Sequence, residues 1–479
     1  MTITHDTTLH RPHVMTINGQ PVEGTATFDV VDPSTGDVFA QAPDCTPEQL
    51  DAAMRAAQLA QPPWAQDEDA RRRALLAAAD LLEAHADDLA RILIREQGRP
   101  ASFTGEMDLV VAWLRYFGNV EVPREVLVDN DTEFIEKVHK PLGVVAAIAP
   151  WNAPLMLAMW KIAPALRAGN TVVLKPSPYT PLSTLAMGEL LQSVFPAGVL
   201  NVVSGLDPLG ARMVEHPVPR KVSFTGSTAT GKKVAASAAN SLKRITLELG
   251  GNDPAIVLPD ADPAAIADKL FWGGFVNSGQ ICLAVKRVYV HSTIRDRLVE
   301  ELAARARAAV VGDGFDPRTT LGPLTNAMQR DKVAQLVSAA IDDGAVAVTG
   351  GEAPSGQGYF YPPTILTNAK DGMAVVDEEQ FGPVMPIVAY DDLDAVIEQV
   401  NTSPFGLTAS VWSTDLDAAA RVAAQLDAGQ VTINAHANGL RPYLPFSGHK
   451  ESGIGVENAL EGLAEYTSTT VLIRPKPTS

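Results

Sequence analysis

Cysteine is nearly absent from this chain: its 479 residues include only two, Cys45 and Cys282. Two cysteines cannot staple a fold of this length, so a chain-wide disulfide framework is excluded and a reducing, cytoplasmic setting is expected. Free cysteine is among the most buried residue types, and its usual role is that of a small apolar side chain. Either cysteine is therefore interpreted as core packing unless the surrounding sequence indicates chemistry.

Long apolar runs and an excess of positive charge are missing as well. No segment approaches the roughly 20 apolar residues that span a bilayer, and the opening stretch MTITHDTTLHRPHVMTING has no apolar core of the kind found in signal peptides. Lysine and arginine number 38 against 56 aspartates and glutamates, a net charge of −18. Such an acidic balance argues against nucleic acid and anionic membranes as partners. We expect a soluble, cytoplasmic protein that binds neither.

What the sequence does contain is an alternation of strands and helices. Hydrophobic residues make up 46% and charged residues 20%, as in ordinary globular proteins, and the length predicts two or three domains. After an irregular start, residues 47–60 and 68–97 have the spacing of Ala-rich amphipathic helices. From residue 142, short apolar runs such as GVVAAIAP alternate with helical stretches, and a second such series begins near residue 254. This alternation predicts two doubly wound α/β lobes with mostly parallel sheets.

Two further segments, 119–141 and 466–474, look like strands that belong to neither series. Isolated strands are unstable alone and usually pair with another strand. The sequence therefore predicts a small β unit, for which another subunit is one possible partner.

A glycine-rich turn, FTGSTATGKK at 224–233, joins one predicted strand to the next helix. Gly226 to Lys232 has the spacing of a nucleoside-triphosphate loop, but Lys233 stands where the magnesium-binding Ser or Thr is required, so that interpretation is disfavoured. A helix that begins after a Gly/Ser/Thr turn still presents backbone N–H groups to an anion. The turn is either a pyrophosphate site that needs no magnesium or an ordinary strand-to-helix turn.

Two polar residues stand in apolar surroundings at predicted strand ends. Glu248 in LELGGND is either a solvent-facing strand residue or a pocket carboxylate with a raised pKa, and the Gly-Gly pair after it suits close approach of a ligand. Asn152 in APWNAPLML is either a helix cap or a rigid amide donor for a developing oxyanion. The local sequence leaves both pairs of alternatives open.

These motifs together resemble one enzyme family, the NAD(P)-dependent aldehyde dehydrogenase superfamily in its non-phosphorylating, hydrolytic form. The resemblance rests on an ordered set of residues inside the motifs: Asn152, Lys175, Ser227, Glu248 and Cys282. The segments EEQFGPV (378–384) and PFSGHKESGIG (445–455) are also similar to that family, and the likeness extends from about residue 30 to 474. The resemblance implies these bounds: 1–118 with 142–251 for a dinucleotide-binding domain, 252–454 for a catalytic domain, and 119–141 with 455–479 for an oligomerisation arm.

The resemblance implies that Cys282 is the nucleophile. Its thiolate would add to the carbonyl carbon of an aldehyde, while the Asn152 amide and the Cys282 backbone N–H stabilise the oxyanion. Hydride would pass to the nicotinamide, and Glu248 would activate the water that hydrolyses the resulting thioester to a carboxylate. Lys161 and Glu457 resemble a proton-relay pair behind that base. No metal is expected, because this chemistry needs none and the sequence shows no cluster with metal-ligand spacing.

Cofactor and substrate positions also follow from the resemblance. The residues implied to contact the dinucleotide are Trp151, Lys175, Ser177, Gly205, Gly226, Ser227, Leu249, Glu379 and Phe381. Among them Lys175 would touch the adenosine ribose, Ser227 the pyrophosphate and Glu379 the nicotinamide ribose. The residues implied to line the substrate pocket are Ala153, Leu157, Trp160, Ile281, Leu283, Arg441 and Phe446.

Cofactor preference, substrate and subunit number stay open at this level. NAD is the expected cofactor, but Pro178 replaces a glutamate that many NAD-preferring members carry, so NADP is not excluded. The mostly apolar pocket predicts a hydrophobic aldehyde, aliphatic or aromatic. The alternatives are a semialdehyde held by Arg441 and acyl transfer to CoA in place of water. A non-catalytic protein on the same scaffold is disfavoured because all three reactive residues are present. The arm implies a homodimer or a homotetramer.

Overall fold

The computed structural model describes residues 12–103, 105–436 and 439–477. The first elements are β1 (Met15–Ile17), β2 (Gln20–Val22), β3 (Ala26–Val31), β4 (Val38–Asp44), α1 (Pro47–Gln66), α2 (Glu68–Ala84), α3 (Ala86–Gln97) and α4 (Glu106–Asn119). The next are β5 (Arg124–Asp129), β6 (Glu133–Pro141), β7 (Val144–Ile148), α5 (Pro154–Arg167), β8 (Thr171–Lys175), α6 (Leu182–Leu191), β9 (Leu200–Val202), α7 (Leu209–Glu215), β10 (Lys221–Thr225), α8 (Thr228–Ala239) and β11 (Arg244–Glu248). The last are β12 (Asp253–Val257), α9 (Pro263–Phe275), β13 (Val285–His291), α10 (Ser292–Ala308), α11 (Ala327–Asp342), β14 (Val346–Thr349), β15 (Thr364–Thr367), α12 (Ala374–Asp377), β16 (Val384–Tyr390), α13 (Leu393–Thr402), β17 (Phe405–Gly406), β18 (Thr408–Trp412), α14 (Leu416–Ala423), β19 (Gln430–Ile433), β20 (His449–Lys450), β21 (Gly453–Ile454), α15 (Ala459–Ala464) and β22 (Thr467–Pro475).

The N-terminal region is more regular than its sequence predicts. The stretch expected to be irregular contains β1 to β4, which are too short or too exposed to show a clear apolar alternation. The single helix predicted over 68–97 is two helices, because His85 leaves the helical conformation with φ −111° and ψ 17°.

Across the described ranges, none of the helices has the length and apolar character needed to cross a membrane.

The first sheet has the strand order β2-β1-β9-β8-β7-β10-β11-β21. Its centre is parallel from β9 through β11, and β7, β8 and β10 are buried along their whole length, as expected for strands covered by helices on both faces. The helices α5 and α8 start just beyond the carboxyl ends of β7 and β10. This edge is where a doubly wound sheet binds its ligands.

The second sheet has the order β14-β15-β16-β13-β12-β18-β19 and is parallel apart from β14. Successive residues of its strands face opposite sides: Ile256 belongs to one core cluster, while Ala255 and Val257 belong to another. Two buried faces explain the continuous apolar runs of this half of the sequence. The predicted fold class, two α/β lobes built on parallel sheets, is confirmed.

A third, antiparallel sheet has the order β22-β6-β5, and β22 pairs with β6 over nine residues, from Thr467 to Pro475. The strand β21 pairs with the end of β11 beside Glu248 and so extends the first sheet, and α15 packs against α5. The expected domain bounds, with 119–141 and 455–479 as the arm, stay a prediction.

Candidate active site

The segment that carries Cys282 is a left-handed turn. After α9, Asn277, Ser278 and Gly279 take φ values of 52°, 54° and 73°, a conformation that costs energy for residues other than glycine. A Cβ on Gly279 would stand 2.2 Å from the carbonyl oxygen of Gly382, so no larger residue fits there. Consecutive strained residues are typical of functional sites, and this turn sets the position of the sulfur.

Cys282 is a free, partly exposed cysteine in the wall of a cavity of about 560 Å³. Most residues predicted for the substrate pocket line the same cavity: Ala153, Leu157, Trp160, Ile281, Leu283 and Arg441. Phe446 lies one layer behind, where its ring packs edge-on against Trp160 with 5.2 Å between the ring centroids. The thiol therefore borders a space of the size that small-molecule sites have.

A second wall of the cavity comes from α4 and the loop before it, which the sequence analysis did not connect with a site. Its members are Arg99, Phe103, Glu106, Asp108 and Leu109. Arg99 and Glu106 form an ion pair whose side chains are 2% and 3% exposed. Opposite charges standing close together in GRPASFTGEMD were the available signal, but nothing in that segment alone ties it to Cys282.

Asn152 precedes α5 and bonds to the turn that carries the nucleophile. Its Nδ2 donates to the carbonyl of Gln280 at 3.0 Å, which uses one of the two amide protons and leaves the other for a second acceptor. Arg99 Nη2 at 2.7 Å and Asn277 Nδ2 at 3.0 Å fix the backbone carbonyl of Asn152. The helix-cap alternative is wrong, because Glu106 accepts from the first N–H groups of α5.

Glu248 ends β11 and is buried, with 3% of its surface exposed. It stands beside Thr225 in parallel register on the neighbouring strand. Burial raises the pKa of this carboxyl well above its usual value, the Glu457 carboxylate adds to the rise, and Lys161 opposes it. Its Oε1 atom accepts no hydrogen bond from any residue that the structure describes. Glu248 is therefore not a solvent-facing strand residue but a buried carboxyl with a raised pKa.

Behind Glu248 lies a buried ion pair. Lys161 on α5 places its Nζ 2.8 Å from Thr225 Oγ1 and 3.1 Å from Glu457 Oε1, and both charged side chains are 0% exposed. Ser223 Oγ donates to the same Glu457 oxygen at 3.3 Å. The two residues implied as a relay pair therefore lie together, and their charges act on Glu248.

The carboxyl ends of β8 and β10 hold the residues implied for the dinucleotide. Ser227 caps α8, where its Oγ accepts from Thr230 N at 3.3 Å, so the glycine-rich turn opens a helix whose N-terminus attracts anions. Lys175 ends β8 with 5% exposure and donates to the neighbouring Pro176 carbonyl at 3.3 Å. Burial lowers the pKa of Lys175 to about 8, against two nearby aspartates. Ser177 is buried beside it. A helix N-terminus and a buried amine fit the pyrophosphate and a ribose hydroxyl.

The glycines implied to give the dinucleotide clearance also have contacts within the protein. A Cβ on Gly226 would stand 2.5 Å from the ring of Phe224, and one on Gly205 would stand 2.7 Å from a carboxylate oxygen. Leu249 packs against α8, where a Cβ on Gly231 would meet it at 2.4 Å. Close packing is therefore sufficient to explain these three positions without a ligand.

The loop at residues 378–383 lies against the turn that carries Cys282, since a Cβ on Gly279 would meet the carbonyl of Gly382. Its Glu379 accepts a hydrogen bond from Gly251 N at 3.1 Å, and burial raises the pKa of that carboxyl. Phe381 has a left-handed φ of 53°, and its ring packs edge-on against Trp151 at 5.2 Å. Burial raises the pKa of the Cys282 thiol, and the Glu379 carboxylate raises it further. The loop is thus close enough to act on the sulfur electrostatically.

His436 is a further residue at the nucleophile that the sequence analysis did not single out. Its Nε2 donates to the carbonyl of Leu283 at 3.0 Å, and its Nδ1 accepts from Ser410 Oγ at 2.8 Å. Ser410 Oγ in turn accepts from Trp412 Nε1 at 2.9 Å, which leaves its own proton for the imidazole. Burial lowers the pKa of His436 to about 4, so the ring is neutral and braces the residue after Cys282.

Comparison with known proteins agrees with this geometry. The chain is 40% identical over 489 residues to a phenylacetaldehyde dehydrogenase of Pseudomonas fluorescens, which covers 97% of this chain and 96% of that protein. It is 42% identical over 463 residues to a betaine aldehyde dehydrogenase of Mesorhizobium japonicum, covering 94% and 95%. An aldehyde dehydrogenase of Bacillus cereus solved as an NAD+ complex superimposes with a TM-score of 0.94 at 36% identity, covering 98% and 97%.

Two parallel-stranded lobes, a free cysteine in the wall of a cavity and a helix N-terminus at the ligand-binding edge of the first sheet agree with the dehydrogenases found in these comparisons. The family model for the aldehyde dehydrogenase family matches residues 21–472. The chain belongs to that family, and it is an aldehyde dehydrogenase that oxidises aldehydes to acids.

Proposed function

We propose that the protein oxidises a hydrophobic aldehyde to its carboxylic acid through a thioester on Cys282, with NAD or NADP as the oxidant. One observation carries the proposal: Cys282 and Asn152 line one cavity, and the buried Glu248 carboxyl acts electrostatically on the Cys282 thiol. The Asn152 amide is also bonded to the turn that carries the thiol.

The chain's own residues supply each step. The Cys282 thiol loses its proton to solvent and its sulfur bonds to the carbonyl carbon, while the electron pair of the C=O bond moves to oxygen. The second Asn152 amide proton and the Cys282 backbone N–H donate to that oxyanion. When bound, the oxidised nicotinamide would accept the hydride that leaves this carbon as its C=O bond re-forms, so that Cys282 carries a thioester. Glu248 then takes a proton from water, the oxygen adds to the thioester carbon, and the C–S bond breaks to return the thiolate.

The dinucleotide assignment is supported by the α8 N-terminus with Ser227, by the buried Lys175 amine, and by Glu379 near the sulfur. The Bacillus cereus relative was solved with NAD+, which supports NAD as the preferred form. Pro178 supplies no carboxylate to repel a 2′-phosphate, so we keep NADP as the second candidate.

A hydrophobic substrate is supported by the cavity wall, where Leu157, Trp160, Ile281 and Leu283 are apolar. The relative named for phenylacetaldehyde supports an aromatic aldehyde. Arg441 lines the same cavity and is the observation that favours a semialdehyde as the second candidate, because a guanidinium pairs with a terminal carboxylate. Water is the proposed acyl acceptor, because the buried Glu248 carboxyl can act as its general base. CoA is the alternative acceptor.

We also propose that the protein forms a homo-oligomer, a dimer or a tetramer. Apolar side chains on the outer strands of the third sheet support this: Val126 is 54% and Ile473 is 66% exposed. A reactive thiol that must stay reduced favours the cytoplasm as the location.

The proposal is tested by Cys282→Ala with Cys45→Ala as its matched control, following absorbance at 340 nm with benzaldehyde, hexanal, betaine aldehyde and succinate semialdehyde. Cys282→Ala is expected to lose all oxidation and to keep dinucleotide binding, because the sulfur is the nucleophile and not a cofactor ligand. Cys45→Ala is expected to be active, since Cys45 is a core side chain. Substantial activity of Cys282→Ala would overturn the mechanism.

The same aldehyde panel tests the substrate. Each extra buried methylene is worth at most about 1–3 kcal/mol of discrimination, so kcat/KM is expected to favour hexanal and benzaldehyde. A preference for succinate semialdehyde that Arg441→Ala removes, and that Arg318→Ala at an exposed loop leaves intact, would favour the second candidate. Turnover that requires CoA would replace water as the acyl acceptor.

A further inference from the structure

A buried lysine lies directly behind the turn that carries Cys282. Lys286, the second residue of β13, is 1% exposed. Its Nζ donates to the carbonyl of Gly279 at 2.8 Å and to the carbonyl of Ile281 at 2.9 Å. The ammonium also stands over the ring of Phe381, 5.2 Å from the centroid. One cation thus holds two carbonyls of the nucleophile turn and contacts the loop that carries Glu379.

The Ile281 carbonyl belongs to the same peptide group as the Cys282 N–H, so a bond to this oxygen affects that N–H. Ala284 N donates to this oxygen at 3.2 Å in addition to Lys286. A hydrogen bond from a cation to a peptide oxygen polarises the whole amide and makes its N–H a stronger donor. That N–H is the group proposed to stabilise the oxyanion together with Asn152.

The charges around the sulfur explain why a cation is needed there. Glu379, Glu248 and Asp253 face Cys282 and oppose its ionisation, as burial does, while Lys286 favours it. Burial lowers the pKa of Lys286, while Glu379, Asp253 and Cys282 act to raise it and so favour the charged ammonium, and Lys332 acts to lower it. Of the charged groups named as acting on the sulfur, Lys286 is the cation. Without it, a thiolate and then an oxyanion would form beside three carboxyl groups.

We propose that Lys286 is a positioning residue for Cys282: it orients and polarises the Ile281–Cys282 peptide group, and its buried charge stabilises negative charge at the sulfur and at the substrate oxygen. The inference rests on the proposed role of Cys282 as the nucleophile. It concerns a residue outside the set implied by the sequence resemblance.

The experiment measures the rate of iodoacetamide alkylation of Cys282 in the full-length protein between pH 7 and 9, with peptide mass spectrometry to identify the labelled cysteine. The variants are Lys286→Met, Lys286→Gln and Lys286→Arg. Lys286→Gln keeps a donor and most of the volume without the charge, so it decides the question if Lys286→Met does not fold. The matched control is Lys243→Met, because Lys243 is another buried lysine that donates to two backbone carbonyls, Val214 and His216, away from this site.

Loss of the charge is expected to slow alkylation at least about tenfold at each pH in Lys286→Met and Lys286→Gln, which corresponds to one unit of thiol pKa. Lys286→Arg keeps the charge and is expected to be slowed less than Lys286→Gln, and Lys243→Met is expected to stay within about twofold of the natural protein. In steady state the neutral variants should lose kcat, while the KM for NAD changes little. A merely structural role would lower thermal stability in Lys243→Met and Lys286→Gln alike and would leave the alkylation profile in place.

Alkylation of Lys286→Gln at the natural rate would overturn the inference. Cys282→Ala in the same aldehyde assay separates this failure from a failure of the proposed function. An inactive Cys282→Ala together with a normal Lys286→Gln would remove only the role of Lys286. An active Cys282→Ala would remove the mechanism on which that role rests.

Discussion

Glu248 is buried beside Lys161 and Glu457, and its raised pKa suits a group that must take a proton from water near neutral pH. Glu248→Gln removes the base and keeps the shape. We expect a burst of NADH equal to the enzyme concentration, followed by a steady-state rate at least about a hundredfold lower, since hydrolysis of the thioester loses its base. Stopped-flow absorbance at 340 nm checks this.

Glu398→Gln, at an exposed glutamate of α13, serves as the control and should turn over normally. If Glu248→Gln shows no burst, Glu248 is needed to deprotonate Cys282 and acts before the hydride leaves.

His436 makes a prediction about acid stability. Its pKa is lowered to about 4 in the folded protein, whereas an unfolded histidine titrates near 6.5. Between these values the unfolded chain binds the proton and the folded one does not, so the free energy of unfolding falls as pH drops from about 6.5 to 4, by about 3 kcal/mol in all. His436→Gln, which is neutral throughout, should lose this part of the pH dependence. Urea unfolding at pH 4.5 and 7 measures the free energy of unfolding of both proteins. An equal change in this free energy between the two pH values in the natural protein and in His436→Gln would contradict the prediction.

The start of helix α5 depends on a residue from another helix. Glu106, on α4, accepts from Leu155 N and Met156 N at 2.8 Å each and pairs with Arg99, which holds the Asn152 carbonyl. Glu106→Ala leaves a buried guanidinium unpaired and the helix start uncapped. We expect a loss of about 3–5 kcal/mol in the free energy of unfolding and a fall in kcat as Asn152 shifts.

Asp108→Ala is the matched control, because Asp108 lies in the same turn of α4 but is exposed. Its stability should stay within about 0.5 kcal/mol of the natural protein. Equal effects of the two substitutions on thermal unfolding would show that the cap and the ion pair contribute nothing specific.

Local sequence patterns predicted the parallel strands and the helices next to them, because the apolar residues of buried strands and amphipathic helices recur regularly over about five to fifteen residues. The same patterns could not reveal Arg99 and Glu106 as neighbours of Asn152, since their partners lie 53 and 49 residues away along the chain. The short strand β21 was missed for a similar reason: two residues have no periodicity, and its pairing with β11 is decided entirely by tertiary contacts. The reactive residues were found through the resemblance of an ordered set, and Lys286 and His436 lay outside that set.

Assembly of the whole molecule is expected to run through the third sheet. Within the described residues β22 and β5 each have one edge without a partner strand, and Val471 and Ile473 on β22 are 49% and 66% exposed. A combined Val471→Lys and Ile473→Lys substitution should convert the oligomer to monomers at micromolar concentration, as measured by sedimentation velocity.

Leu416→Lys is the control, since Leu416 is also exposed, at 61%, but lies on α14. It should leave the assembly unchanged. A natural protein that sediments as a monomer would rule out the proposed oligomer, and an assembly that survives the double substitution would place its interface elsewhere.

The buried contact between Glu457 and Lys161 has a consequence for folding during synthesis. The two side chains are 296 residues apart in sequence, and Ser223, the other partner of Glu457, is 234 residues ahead of it. A ribosome delivers the chain from its N-terminus at about 5–20 residues per second, so the first sheet waits many seconds with Lys161 uncompensated and the edge of β11 open. During that interval the nascent chain is an incomplete lobe with an unpaired strand, a form that chaperones bind. The segment with Glu457 and β21 brings both the last strand beside β11 and the partner of Lys161, so we expect the first lobe and the surroundings of Glu248 to be completed together.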